Sequence, residues 1–117
     1  MEIRVLSDDD VLRVEAVGPI VGVELTLASE ATDQLMGGKA NPPMVLLSLE
    51  NGRFIDSNGL AWLVAVNRRF GTMGGKLIVH SVPATIMDLL KMMRLNEVLN
   101  LADDEPAALR TIRGESP

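Results

Sequence analysis

Apolar residues fall into short runs separated by polar and glycine-containing breaks, a pattern typical of a domain that mixes strands and helices. The first two runs, residues 3–6 and 11–17, flank the acidic segment 7–10, and this arrangement predicts a hairpin. In the second run the uniformly apolar set is Leu12, Val14 and Ala16, at alternate positions. Because alternate residues of a strand share one face, we expect this face to contact the core.

From residue 44 onward, strand-like and helix-like patterns alternate. Such alternation implies parallel strands, right-handed crossovers and helices packed against the sheet. The chain is therefore predicted to be an α/β domain: a mixed sheet with an N-terminal hairpin and helices on its parallel part. The predicted elements are strands at 44–49, 76–80 and 98–101, a helix beginning near 57, a helix that Ser81 would cap and that runs from Pro83 to Met93, and a helix at 103–112.

Residues 18–43 have the least regular pattern. Alternation at 21–27 favours a strand, 28–36 favours a short helix that ends at Gly37-Gly38, and Asn41-Pro42-Pro43 would end regular structure. Asn51-Gly52 indicates a turn, but too few residues follow it to form a hairpin partner, so 50–55 is interpreted as a loop. We expect one domain over residues 1–113 and a loose C-terminal tail at 114–117.

The composition argues against several classes of function. A formal charge of −5 and a pI near 4.7 argue against nucleic-acid binding, which needs a basic surface. The chain has no cysteine, no signal-peptide pattern and no apolar run of the ~20 residues that a membrane span needs, so we expect a cytoplasmic protein. The acidic runs 8–10 and 103–105 are interpreted as a turn and a helix start, and we expect no metal and no cofactor.

The most informative segment is 54–60, which joins an apolar strand to an apolar helix. Asp56 and Ser57 are preferred N-cap types, so the helix is expected to begin there. The Ser57 hydroxyl would then lie near the surface at the positive end of a helix, where a phosphoryl group is electrostatically favoured. From the local sequence alone, Ser57 is either a modification site or only a cap.

The next residues suggest a docking surface. A helical projection places Trp62 at the margin between two faces, beside Arg69, and two interpretations stay open. Trp62 is either a partly exposed anchor for a partner or a residue that packs on a neighbouring helix. The projection gives a core face of Leu60, Leu63, Val64 and Phe70 and an opposite face of Ala61, Ala65, Arg68 and Arg69; Met87, Met92 and Met93 are interpreted as core filler.

Residues 44–112 resemble the STAS family, whose type members are bacterial anti-sigma-factor antagonists. That family has an apolar strand, then Asp-Ser-Ser/Thr-Gly-Leu and a helix, and this chain has Asp56-Ser57-Asn58-Gly59-Leu60. A Gly-Gly-x-Leu-x-Val strand follows at Gly74 to Val79, then a helix led by Pro83 and the segment Leu95 to Leu99. Two departures stand out: Asn58 replaces Ser or Thr, and residues 18–43 lack the family's Gly-x-hydrophobic-Asp turn.

The resemblance implies a non-enzymatic regulator in a partner-switching system. Ser57 matches the serine that the family phosphorylates, and no residue is expected to be catalytic. The implied partner is an anti-sigma factor that is also a serine kinase of the ATP-binding, histidine-kinase-like type, and a serine phosphatase is a second implied partner. The residues expected to contact a partner are Asp56, Asn58, Gly59, Ala61, Trp62, Ala65 and Arg69.

Two alternatives belong to other classes. One is a scaffold or transporter-complex subunit with the same fold and no phosphorylation. The other is a small serine hydrolase, in which Ser57 would need His80, the only histidine, as its base. The segment around Ser57 lacks the Gly-x-Ser-x-Gly turn of such enzymes, so the sequence disfavours this alternative.

Overall fold

The computed structural model describes residues 2–8, 10–20 and 44–114. Within them lie six strands, three α-helices and one 3₁₀ turn. The strands are β1 (Glu2–Asp8), β2 (Leu12–Ile20), β3 (Met44–Ser48), β4 (Gly52–Ile55), β5 (Lys76–His80) and β6 (Asn100–Ala102). The helices are α1 (Ser57–Thr72), α2 (Ala84–Met92) and α3 (Glu105–Ile112), and the 3₁₀ turn is Leu95–Glu97. The strand and helix predicted within 21–36, and the tail beyond 114, lie outside the described residues.

The sheet has the order β1-β2-β3-β5-β6. β1 and β2 pair antiparallel, which confirms the predicted hairpin, and β2, β3, β5 and β6 are parallel. The predicted mixed sheet and its alternation of strands and helices are therefore confirmed.

Two layers of core lie on opposite faces of this sheet. The larger layer packs α1 and α2 against the sheet and includes the predicted β2 face of Leu12, Val14 and Ala16. The smaller layer packs α3 against the other face through Val11, Leu46, Ile78 and Ala108. Because successive residues of a strand point to opposite faces, β3 and β5 supply both layers.

The loop predicted at 50–55 is wrong in part, because Gly52–Ile55 forms β4. This strand pairs in parallel with the far end of β2, Gly18 opposite Gly52 and Ile20 opposite Ile55. The pairing could not be seen locally, since its partner lies more than 30 residues upstream. It fixes the start of α1 against the end of β2.

The region of α2 departs from prediction in three details. Pro83, rather than Ser81, occupies its N-cap position, and no side chain caps the helix. Met92 and Met93 are exposed at 76% and 59%, so the interpretation of these two methionines as core filler is wrong, whereas Met87 packs against the core. The last strand begins at Asn100 rather than at 98, because the 3₁₀ turn occupies Leu95–Glu97.

Candidate functional site

The junction between β4 and α1 is built around Asp56. The Asp56 backbone N–H donates to the Ile20 carbonyl at 3.3 Å, which ties the junction to β2. The Asp56 side-chain Oδ1 accepts a hydrogen bond from the Gly59 backbone N–H at 2.9 Å, and the Asp56 carbonyl accepts from Leu60 N–H at 2.9 Å. Asp56 is thus the N-cap of α1, and Ser57 is the first helical residue.

Ser57 and Asn58 are both exposed, at the end of the helix where backbone N–H groups lack intrahelical acceptors. Asp56 satisfies the third of these donors and contributes one negative charge there. The Ser57 hydroxyl therefore lies on the surface, at the positive end of a 16-residue helix.

Gly59, predicted to contact a partner, is buried. A Cβ at this position would lie 2.2 Å from the Ile20 carbonyl oxygen and 2.6 Å from Ile55 Cγ1. The backbone of α1 therefore approaches the ends of β2 and β4 so closely that only glycine fits. In the structure Gly59 serves packing.

A shallow groove of about 370 Å³ begins at Ser57 and follows α1. It passes Ala61 and Ala65, two of the predicted contact residues, and both are exposed. Its remaining walls are Leu60, Val64 and Arg68 from α1, with Met93 and Leu95 from the segment between α2 and β6. The structure thus brings Ser57, Ala61 and Ala65 onto one surface.

The interpretation of Trp62 as a partly exposed anchor is wrong, because Trp62 is only 2% exposed and belongs to the larger core layer. The alternative, that Trp62 packs inside the domain on a neighbouring helix, agrees with this burial. Its indole Nε1 is buried without a hydrogen-bond partner among the described residues. Arg69, also predicted as a contact, is exposed on α1 but does not line the groove.

Arg68 lines the groove with Ala61 and Ala65, as their shared face in the helical projection predicts. Met93 and Leu95 also line it, although nothing in their sequence pattern connects them with Ser57. Met93 and Leu95 lie 21 and 23 residues beyond the end of α1 at Thr72, and only the return of the chain through α2 brings them beside it. The methionine at the end of the predicted helix 83–93 was the available signal, but the sequence analysis interprets Met93 as core filler.

His80 lies on the opposite side of the sheet from Ser57. It follows Ile78 by two residues on β5, and Ile78 belongs to the layer beneath α3, whereas α1 packs on the other layer. Burial lowers the pKa of the His80 imidazole below its usual 6.5, against the weaker opposing effect of Glu105, Asp104 and Glu50. A base on the far face of the sheet cannot reach the Ser57 hydroxyl, so the geometry opposes the serine-hydrolase alternative.

The fold and this junction define the class of protein. The family model of the STAS domain matches residues 2–108, and the chain belongs to the STAS domain family. No curated protein sequence matches it.

Solved structures share the fold. An anti-sigma-factor antagonist (STAS) domain protein from Planctomyces limnophilus is 24% identical, with a TM-score of 0.73, over 95% of this chain and 97% of the other. An anti-sigma factor antagonist from Mycobacterium paratuberculosis is 22% identical, with a TM-score of 0.76, over 96% and 95% of the two chains. The anti-sigma factor antagonist SpoIIAA, in its unphosphorylated form, is 16% identical, with a TM-score of 0.70, over 99% and 98%.

Two other features are absent from the described residues. None of the helices there is long and apolar enough to span a membrane. No group of three or more histidine and acidic side chains in the same residues is arranged to hold a metal ion.

Proposed function

We propose that this protein is an anti-sigma-factor antagonist in a partner-switching system and that phosphorylation of Ser57 controls it. The observation that carries the proposal is the position of Ser57: an exposed hydroxyl on the first turn of α1, at one end of the apolar groove. The family, and the similar structures of anti-sigma-factor antagonists, support the same role. The protein itself catalyses no reaction in this proposal.

The groove is the proposed docking surface. An apolar surface beside small side chains lets a partner approach closely, and Ala61 and Ala65 are the smallest residues along this one. Asp56 and Asn58 flank Ser57 at its end, and Arg69 extends the surface along α1. The partner is an anti-sigma factor that also carries kinase activity of the ATP-binding, histidine-kinase-like type, and a serine phosphatase restores the binding form.

A phosphoryl group on Ser57 adds about −1.5 to −2 charges beside the Asp56 carboxylate. The helix N-terminus stabilises this charge within the domain, so the fold persists. A docked partner would have to remove water from the same charge, which weakens binding. The switch therefore acts on the interface and leaves the domain folded.

The test is phosphorylation by the cognate kinase-like ATPase with ATP, followed by intact mass. The wild-type chain should gain one phosphoryl group, and Ser57→Ala should gain none. Calorimetric titration should then show tight binding of the unmodified chain and at least tenfold weaker binding of Ser57→Asp, equivalent to about 1.4 kcal/mol or more. Equal affinity of both forms would refute the switch.

Asn58 favours a second candidate, a scaffold or transporter-complex subunit that binds partners without phosphorylation. This residue is exposed directly after Ser57, where the family has Ser or Thr, and a kinase that reads this position would react slowly. Asn58→Ser should then accelerate phosphorylation, measured by initial rates on freshly prepared protein, because Asn58-Gly59 can deamidate. If neither form is modified while a control substrate is, the scaffold candidate is the better one.

A further inference from the structure

A row of polar side chains crosses three parallel strands on the face opposite Ser57. Glu15 on β2 lies in register with Ser48 on β3, and Ser48 with His80 on β5. One row earlier on the same face, Leu46 and Ile78 are fully buried apolar residues. The core beneath α3 therefore changes from apolar to polar at the carboxyl ends of β3 and β5.

Ser48 and His80 are the buried polar residues of the described part of the chain, at 7% and 6% exposure. Burial of polar side chains costs free energy unless they are satisfied, so such a pair is informative. The Ser48 hydroxyl accepts a hydrogen bond from the Glu50 backbone N–H at 3.3 Å. His80 Nδ1 and Ser81 Oγ lie 2.9 Å apart in a hydrogen bond, whereas Nε2 has no partner among the described residues.

These side chains border a pocket of about 160 Å³, named here the His80 pocket. A water molecule takes about 30 Å³ in the liquid, so the pocket has room for roughly five waters or a short alkyl amine. It lies at the carboxyl edge of the parallel strands, where open α/β sheets bind ligands. Its charged and imidazole side chains are Arg13, Glu15, Glu50, His80 and Glu105.

The lining of the His80 pocket carries more negative than positive charges. Arg13 Nε pairs with Glu105 Oε1 at 3.0 Å, which neutralises one carboxylate. Glu15 and Glu50 are the other two carboxylates of the lining. The Glu15 side chain is only 14% exposed. Its Oε2 accepts a hydrogen bond from Asn51 Nδ2 at 3.0 Å, and its Oε1 forms a long ion pair, at 4.0 Å, with the exposed Arg4 guanidinium.

His80 supplies a neutral acceptor in this setting. Its imidazole pKa is lowered by burial, so the ring is uncharged at neutral pH despite the nearby acids Glu105, Asp104 and Glu50. When Nδ1–H donates to Ser81 Oγ, Nε2 carries a lone pair. Ser81 has a positive φ of 55°, a conformation uncommon for serine that is maintained at the end of β5.

We propose that the His80 pocket binds a primary ammonium group, carried either by a small free amine or by a lysine side chain of a partner protein. An ammonium presents three donors and no acceptor, which matches the carboxylates of Glu15 and Glu50 and the Nε2 lone pair of His80. The pocket lies on the other face of the sheet from Ser57, so the inference does not depend on the proposed function.

The first experiment observes the single histidine directly. In long-range ¹H–¹⁵N NMR of the full-length chain, the only imidazole signals are those of His80. Titration with n-butylammonium should shift them saturably toward the Nδ1–H tautomer, and n-butanol should not. Linear, unsaturable shifts, or equal shifts from the neutral alcohol, would overturn the proposal.

Variants test the acceptors. Glu15→Gln keeps the size of the side chain and should weaken binding of n-butylammonium about tenfold, the loss expected when one charged hydrogen-bond partner is removed. Glu97→Gln makes the same change of charge in the 3₁₀ turn, outside the pocket, and should bind as wild type. An equal loss of affinity in both variants would show that binding depends only on the net charge of the protein, and it would refute a specific site in the His80 pocket.

A second pair of ligands separates the two sources of the ammonium group. The peptides are acetyl-Ala-Lys-Ala-amide and its Nε-acetylated form, which lacks the charge. If the lysine peptide binds more tightly than n-butylammonium, the pocket is assigned to a partner's lysine. If n-butylammonium binds more tightly, the pocket is assigned to a free amine. If the acetylated peptide binds as tightly as the charged peptide, both assignments are contradicted. Binding should also weaken as the pH falls through the His80 pKa, because imidazolium repels ammonium.

Discussion

At the scale of single residues, the Asp56-Ser57-Asn58-Gly59 motif divides into two kinds of position. Ser57 and Asn58 face solvent, whereas Gly59 is buried and permits the close contact of α1 with β2. The sequence analysis assigned Ser57 to phosphorylation and grouped Asp56, Asn58 and Gly59 as partner contacts, since motif resemblance does not separate residues that bind from residues that position. A helical projection likewise misplaced Trp62, because it describes the helix and omits what packs around it.

Gly59→Ala should destabilise the domain by about 1–3 kcal/mol, the usual cost of overpacking. The added Cβ would overlap the Ile20 carbonyl, a backbone atom that cannot move aside cheaply. Chemical denaturation measures the effect. The matched control is Gly71→Ala, near the end of the same helix with nothing within 4 Å, which should be neutral or gain up to about 1 kcal/mol. Equal effects at both positions would refute the close approach.

Trp62→Ala should lower the free energy of unfolding by about 3–5 kcal/mol, because it removes a large side chain from the core. The wild-type chain has one Trp, so its emission reports this site alone. The emission maximum should be blue-shifted and insensitive to iodide. A red emission maximum that iodide quenches would contradict the burial of Trp62.

At the scale of elements, local chemistry predicted the starts of α1 and α3 but not the start of α2, and it missed one strand, β4. The caps of α1 and α3 follow from Asp56 and Asp104, each of which accepts a backbone N–H three residues on at 2.9 Å. β4 was not predicted because the four residues Gly52–Ile55 carry no clear periodicity, and only pairing with the distant Gly18 and Ile20 makes them a strand. The groove could not be predicted from the sequence either, because its walls come from two separate segments of the chain.

Removing the cap of α1 should cost stability, whereas adding an acid beside it should not. Asp56→Ala is expected to lose about 0.5–2 kcal/mol, the range for loss of an N-cap. Asp104→Ala, the matched loss of a cap in α3, should cost a similar amount and leave the Ser57 site unchanged. Ser57→Asp should melt within a few degrees of wild type or higher, because an acid near a helix start contributes about 0.3–1 kcal/mol. A collapse of its melting transition would contradict a switch confined to the interface.

At the scale of the whole molecule, the two candidate sites lie on opposite faces of the sheet. The face beneath α1 and α2 carries the larger core, with Ser57 at its carboxyl edge, and the face beneath α3 carries the smaller core and the His80 pocket. The order of elements predicted the parallel sheet. It did not predict which face each strand-end residue occupies, because a shift of one residue in register reverses every side chain.

The burial of His80 should appear in the pH dependence of global stability. Folding lowers the imidazole pKa below 6.5, so the unfolded chain binds the proton more tightly than the folded one. Above pH 6.5 the imidazole is neutral in both states and the free energy of unfolding is not reduced by this group. As the pH falls from 6.5 toward the pKa of the folded state, the unfolded chain takes up the proton first and the free energy of unfolding decreases. Urea denaturation at a series of pH values should therefore show a loss of stability in this window. His80→Gln retains a polar side chain without the titration, and the same loss in that variant would assign the effect to the carboxylates instead.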